Sequence, residues 1–529
     1  MKTLFKKILP IFLAAAMGLS VFAFTGCTKV LYGNMPQAST ESEDDKDDGV
    51  KDEKTISTPS TYVDLTNDNT QYVVFMLTNT TYQQDESFLF EMQRLHGEND
   101  PKSERMYAFG TTGPYILNHS IETMRENVNT VFQAAERYNI PVYFQMDDCK
   151  QFFTTTPNNI NKYGDEENCV HVGKTTGVSY NHFYEDPDMC EWIALPSGSE
   201  TWGGQSNGEL PKWMMDWGSP YARVLGGFPC FNSESYLEWY DNQIKEGFIK
   251  PLLENLIRLQ KEGKDYLFAG VCTGWETMLP DYSSDAIVCK GSAYSGVKSW
   301  ERTQYGMHAI YNIKDDYGNR LYDTDAKLAA GAQAHGLSLT AFKRYLLFQV
   351  IHDYIEHTCK LFYDAGISRY KIYSHTIAYT SGNGGDEFAN GNATYNASLC
   401  DTFALPSWVA INDYCIPGWS IASTIPYDTN VILKNVAKYA PGLNAYASVE
   451  AYANDGGGNE ANCRAYMERL LGGNSKLLPI FGYEQDTKAT STLGYSRDGD
   501  YFFTKLIRQW REGTFLSGYS FANRPALTY

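Results

Sequence analysis

The sequence lacks several patterns that would assign it to a common class of protein. It contains neither the G-x-S-x-G motif of serine hydrolases nor a phosphate-binding glycine loop of the Walker or dinucleotide type. It shows no internal repeat. Its cysteines form no CxxC pair and no mixed Cys/His spacing, so a zinc site is not expected. We therefore expect a protein without a metal or a cofactor.

Basic residues are also scarce relative to acidic ones. The chain has 44 Lys and Arg against 63 Asp and Glu, which gives a formal net charge of −19. Nucleic acids bind to positively charged surfaces, so this balance argues against a nucleic-acid partner. Aromatic residues, in contrast, are abundant at 14% of the chain. Such an excess is typical of surfaces that stack on sugars, although large aromatic cores show it too.

Only one apolar run approaches the ~18 residues that a membrane span needs. It extends from Ile8 to Phe24 and follows three lysines, as in a signal peptide. The sequence Phe24-Thr25-Gly26-Cys27 then resembles a bacterial lipobox, with Phe24 in the place of the usual Leu. We expect residues 1–27 to be a lipoprotein signal peptide and Cys27 to carry the lipid that holds the protein on the outer side of the cell membrane. Plain secretion is the alternative.

The remaining chain divides into a tether and one large domain. Residues 28–60 are rich in acidic residues, Ser and Thr, a composition that cannot bury a core and predicts disorder. Residues 61–529 form the predicted folded domain. It contains two long insertions, 150–232 and 278–337, in which helical or strand periodicity is weak.

Seven apolar runs predict β-strands, and helical patterns lie between several of them. The runs begin near residues 71, 140, 266, 369, 417, 443 and 476. Helices are predicted from Ser120 to about Tyr138 and from Ser338 to Asp364. Strands that alternate with helices indicate a parallel sheet, and we expect an α/β fold of the (β/α)8 TIM-barrel type. An eighth strand is expected in 79–118, in 150–232 or around 406–412.

Glutamates follow three of these predicted strands. Glu276 comes after the strand near 266, Glu450 ends the strand near 443, and Glu484 follows the strand near 476. Glycoside cleavage requires one protonated acid and one ionised carboxylate. A carboxyl beside Trp275 would be desolvated, which suits the acid, so Glu276 is the predicted acid and Glu450 the predicted nucleophile. Glu484 is the rival of Glu450, and ion pairing or capping is the alternative role for Glu276.

This arrangement resembles the clan A (β/α)8 glycoside hydrolases. In that clan the acid/base Glu ends strand four and the nucleophile Glu ends strand seven. The resemblance implies the same roles for Glu276 and Glu450, provided that the eighth strand lies before residue 266. It extends over roughly residues 62–529 at the level of architecture. The sequence departs from the clan at Trp275, where an Asn usually precedes the acid/base Glu.

Other polar and aromatic residues at predicted strand ends are candidates for binding sugar hydroxyls and rings. His375 follows the strand near 369 and is expected near the scissile bond, although a structural role for a single histidine is equally compatible with the pattern. The predicted substrate-binding residues are Asp147, Asp148, Trp275, His375, Trp419, Tyr452 and Glu484.

The sequence therefore predicts an extracytoplasmic, lipid-anchored glycoside hydrolase that acts on an oligo- or polysaccharide, with retention of configuration. Two alternatives are a surface lipoprotein that binds glycans without catalysis and, less well supported, a solute-binding protein of an importer.

Overall fold

The computed structural model describes most of the predicted domain. The described residues are 62–64, 68–77, 87–111, 120–146, 189, 215–216, 223–224, 229–274, 277, 279, 306–378, 404–420, 429–450, 460–480 and 502–525. The predicted signal peptide with Cys27 and the predicted tether lie outside this set.

Eight strands and ten α-helices organise the described part of the chain. The strands are β1 (Gln71–Leu77), β2 (Arg105–Thr111), β3 (Val142–Gln145), β4 (Phe268–Cys272), β5 (Ile372–Tyr373), β6 (Gly418–Ser420), β7 (Ala447–Glu450) and β8 (Leu477–Ile480). The helices are α1 (Ser87–His96), α2 (Ile121–Tyr138), α3 (Glu234–Ile244), α4 (Lys250–Lys261), α5 (Met307–Tyr311), α6 (Asp325–Ala334), α7 (Leu339–Asp364), α8 (Thr429–Tyr439), α9 (Glu460–Leu471) and α10 (Phe502–Arg511). Two further pairs of two-residue strands, Met215–Asp216 with Arg223–Val224 and Ile377–Ala378 with Ala404–Leu405, form separate two-stranded sheets.

Six of the strands form one parallel sheet in the order β8-β1-β2-β3-β4-β5. All seven residues of β1 are buried, as are all those of β3, β4, β5 and β8. A strand that is covered on both faces has no polar face, which explains why these segments are continuous apolar runs rather than alternating ones. The predicted mixed α/β class with a parallel sheet is confirmed.

The six-stranded sheet is curled rather than flat. In a flat sheet β1 and β5 would lie four spacings apart, roughly 19 Å. The ammonium of Lys371, directly before β5, nevertheless donates a hydrogen bond of 3.3 Å to the hydroxyl of Tyr72 in β1. The rings of Tyr143 in β3 and Tyr373 in β5 also approach to 6.0 Å between centroids. These contacts place the interior faces of distant strands around one core.

The two remaining strands, β6 and β7, pair with each other in parallel. Single parallel bridges connect this pair to the larger sheet on both sides. Tyr373 bridges to Ile416 ahead of β6, and Tyr446 ahead of β7 bridges to Ser475 ahead of β8. The carboxyl ends of β5, β6 and β7 therefore lie side by side.

The helix limits follow local signals that are visible in the sequence. The hydroxyl of Ser120 accepts a hydrogen bond from the amide of Thr123 at the start of α2, and Ser338 does the same for Ala341 at the start of α7. Both serines are therefore N-caps, at the predicted starts of these helices. A π-helical turn, Lys245–Ile249, interrupts the helical segment after Ser233 and separates α3 from α4.

The structure shows where the eighth strand lies, which the sequence pattern did not locate. Of the three proposed locations, the segment 79–118 contains it, since β2 pairs along its length with β1 and over three residues with β3. The later part of the predicted insertion 278–337 is helical and contains α5 and α6. No helix among the described residues has the length and apolarity to cross a membrane.

The buried His96, at the end of α1, is expected to make the folded protein less stable in acid. It is buried against Phe75, with ring centroids 5.1 Å apart. Burial, with the positive charges of Arg511 and Arg508, lowers the pKa of His96 from 6.5 to about 3. Below pH 6.5 the unfolded chain therefore binds a proton at this histidine, whereas the folded chain does not. The free energy of unfolding falls as the pH drops from 6.5 towards 3, by up to about 1.4 kcal/mol per pH unit.

His96→Leu is therefore expected to flatten this acid loss of stability. Urea unfolding at a series of pH values across the window measures it, with the exposed His335 changed to Leu as the control. An unchanged pH slope in His96→Leu would show that other groups cause the loss.

Candidate active site

Three polar side chains meet at the carboxyl ends of neighbouring strands. His375 follows β5 by two residues, Ser420 ends β6, and Glu450 ends β7. His375 is fully buried and Glu450 is 5% exposed. A buried carboxylate is tolerated only where hydrogen bonds or charges compensate its lost hydration, so its surroundings define the site.

Backbone geometry brings the three residues together. A Cβ on Gly418 would lie 2.3 Å from the carbonyl oxygen of Ser374 and 2.6 Å from Val449, so only glycine permits this approach of β5, β6 and β7. The β6–β7 register then shifts, because Trp419 lies opposite Ser448 whereas Ser420 lies opposite Glu450. Such a bulge re-aims the side chains at a strand end.

Hydrogen bonds connect His375, Ser420 and Glu450, and their donors and acceptors can be assigned. The hydroxyl of Ser420 donates to Glu450 Oε2 at 3.2 Å, and His375 Nε2 lies 2.7 Å from the same hydroxyl. Because the hydroxyl proton points to the carboxylate, Nε2 carries the proton that Ser420 accepts. Nε2 is also 3.6 Å from Glu450 Oε2. The network thus surrounds Glu450 Oε2 with the Ser420 hydroxyl and an imidazole nitrogen of His375.

The same geometry argues against a serine nucleophile. In a Ser-His-acid triad, the histidine accepts the serine proton through one ring nitrogen while the acid holds the other nitrogen. Here Glu450 and Ser420 both lie on the Nε2 side of His375. The arrangement instead places Ser420 and His375 around the carboxylate of Glu450.

Residues on β3 face the same region from the opposite side. Burial raises the pKa of Tyr143, and the nearby groups Cys272, Tyr373 and Glu450 raise it further. Glu450 is therefore within electrostatic reach of β3. Gln145 ends β3 in full burial, and within the described part of the chain its side-chain amide has no hydrogen-bond partner. A buried amide without a partner requires an explanation such as a bound polar group.

Trp419 is fully buried, 6.4 Å from Tyr446 between ring centroids. Its side chain thus belongs to the core beneath the strand ends. Within the described residues its indole N–H has no acceptor.

Seven of the predicted functional residues lie outside the described part of the chain. They are Cys27, Asp147, Asp148, Trp275, Glu276, Tyr452 and Glu484. The structure does describe residues next to several of them: Met146 follows β3, Thr273 and Gly274 follow β4, and Gly274 accepts a hydrogen bond of 3.3 Å from the amide of Thr277. Glu276 follows the carboxyl end of β4 by four residues.

The sequence predicted Glu450 and His375 as site residues, and the structure adds Ser420 beside them and the buried amide of Gln145 as further candidates. Ser420 was unremarkable because its importance depends on which strand lies beside it. Gln145 had a readable signal, since it is the single amide in an otherwise apolar strand.

Comparisons of the chain with protein-family models and with curated proteins find no match.

Proposed function

We propose that the chain is an extracytoplasmic, lipid-anchored glycoside hydrolase that cleaves an oligo- or polysaccharide with retention of configuration. The observation that carries this proposal is the buried carboxylate of Glu450 at a strand end, hydrogen-bonded by Ser420 and close to His375. A retaining hydrolase requires such an ionised carboxylate to attack the anomeric carbon. Glu276 is the proposed acid/base.

A closed (β/α)8 barrel is part of this proposal. It is supported by the parallel bridges on both sides of the β6–β7 pair and by the 2.8 Å hydrogen bond from the amide of Lys476 to the carbonyl of Tyr446. With these connections the parallel strands follow one another from β1 to β8 and back to β1. Counted in this ring, Glu276 follows the fourth strand and Glu450 ends the seventh.

The stereochemical outcome follows from that count. Strands three apart in a narrow barrel direct their end residues across one pocket, which favours a carboxyl separation near the ~5–5.5 Å of retaining enzymes over the ~6.5–9.5 Å of inverting ones. Buried aromatic and amide groups on β3 would face the sugar from the other side.

A substrate screen tests the proposed activity. The full chain would be assayed on a panel of aryl glycosides and on plant and microbial polysaccharides, and the first-formed anomer would be identified by NMR. Turnover with retention supports the proposal. An inverted product would remove Glu450 as the nucleophile, and saturable glycan binding without turnover would favour the non-catalytic binding protein.

Ser420→Ala should weaken the active site without removing it. Loss of a hydrogen bond to a charged group costs about 1.5–3 kcal/mol, so we expect kcat to fall roughly 10- to 100-fold. Ser420→Thr keeps the hydroxyl and is expected to retain most of the activity. Steady-state kinetics with a matched measurement of thermal stability distinguish this effect from unfolding. Equal losses in both variants would show that packing, rather than the hydroxyl, matters.

A further inference from the structure

A second group of ionisable side chains lies on α7, away from the strand-end residues. It consists of His352, Asp353 and Glu356, and one nitrogen or oxygen atom from each lies within 4.8 Å of those from the other two. We call these three residues the α7 cluster. All three are partly buried.

The helix explains how three residues so close in sequence converge. His352 and Glu356 are four residues apart and therefore occupy one face of α7, and Asp353 borders that face. The face packs against the short 3-10 helix Ser407–Ala410, where the ring of Trp408 lies 5.7 Å from that of His352. The cluster is thus covered by a second segment of chain.

The imidazole of His352 has a fixed orientation. Its Nδ1 lies 3.2 Å from the carbonyl oxygen of Val409. A carbonyl only accepts, so Nδ1 carries the proton, and Nε2 presents a lone pair. Metal-bound histidines commonly donate their second ring nitrogen to a backbone carbonyl in this way, which holds the ligating nitrogen in place.

The two carboxyls have no cation of their own. Among the described residues, the side chain of neither Asp353 nor Glu356 forms an ion pair or a hydrogen bond. Lys360 partly offsets the charge of Glu356, but its ammonium pairs with Asp364. The two partly buried carboxyls therefore remain available to ligate a cation.

We propose that the α7 cluster is a binding site for a divalent transition-metal ion of the Zn²⁺ class. One imidazole nitrogen and two carboxylate oxygens match such ions, whereas Ca²⁺ and Mg²⁺ prefer oxygen ligands alone. Ligand atoms around a tetrahedral Zn²⁺ lie roughly 3–4 Å apart, since each bond is about 2 Å, so small side-chain movements complete the site. Water fills the remaining position. The contact of His352 with Val409 would link the bound ion to the segment that leads into β6.

The α7 cluster has no Cys and none of the Cys/His spacings that indicate a zinc site in a sequence. The three residues lie within the helical pattern of α7, and the carbonyl that orients His352 comes from a residue 57 positions later.

Zinc binding by the purified full chain tests the proposal. The protein would be stripped with a chelator, titrated with Zn²⁺ against a chromophoric competitor, and analysed for metal content. We expect one Zn²⁺ ion per chain, binding weakened at least tenfold in each of His352→Gln, Asp353→Asn and Glu356→Gln, and no comparable affinity for Ca²⁺. Zn²⁺ should also raise the melting temperature of the wild type and leave that of His352→Gln unchanged.

Two matched controls separate this site from general surface binding. His335→Gln changes an exposed histidine, and Asp364→Asn changes an acid of α7 outside the cluster. Both should bind Zn²⁺ like the wild type. Circular dichroism of the metal-free variants verifies that they are folded. Absence of saturable binding in the wild type, or binding that survives in all three cluster variants, would overturn the proposal.

Discussion

Replacing Glu450 with Ala is expected to abolish turnover on every substrate, whatever its leaving group. The side chain supplies the proposed nucleophile, and without it no glycosyl-enzyme forms. We expect kcat to fall on the order of 10⁴-fold or more, as for other enzymes that lose their nucleophile. Because Ala leaves a space where the buried carboxylate was, azide should enter it and restore turnover. The rescued product should be a glycosyl azide of inverted configuration.

The matched control is Glu460→Gln, which changes an exposed acid of α9 whose ion pair with Arg464 is long at 3.8 Å. It should retain wild-type kinetics. Glu450 also holds Ser420 and lies near His375, so thermal melting should accompany the assay. Full activity of a folded Glu450→Ala would transfer the nucleophile role to Glu484.

Replacing Glu276 with Ala is expected to affect substrates unequally. General acid catalysis matters most where the leaving group is a poor one, since such a group requires a proton to depart. We expect a loss of roughly 10²–10⁴-fold on alkyl or sugar leaving groups and a much smaller loss in the first step on activated aryl leaving groups. Steady-state kinetics across a series of leaving groups gives this dependence directly.

The pH profile provides an independent measurement for Glu276. In the wild type, activity on poor leaving groups should fall at high pH as the acid ionises, and this limb should vanish in Glu276→Ala. Glu262→Gln, at the exposed end of α4, is a control that should keep this dependence on pH. A uniform loss across all leaving groups with an unchanged pH profile would assign Glu276 a role in binding rather than in proton transfer.

Local patterns in the sequence determined much of the sheet. Seven strand segments could be predicted because burial on both faces requires continuous apolar runs. The helix starts at Ser120 and Ser338 could be predicted because a cap acts within one helical turn. The strand β2 escaped notice since Arg105 opens it and Gly110 interrupts its apolar pattern.

Glu450 could be predicted as a site residue because it is a charged residue at the end of a buried apolar run. The sequence by itself thus determined which segments are strands and which carboxylate one of them delivers. Only the tertiary structure decided what surrounds that carboxylate. Ser420 contacts Glu450 because β6 pairs with β7 through a shifted register, and Gly418 permits the approach of β5. Likewise, Val409 orients His352 across 57 residues of chain. Pairing between distant segments depends on the packing of the whole core, and no local pattern encodes it.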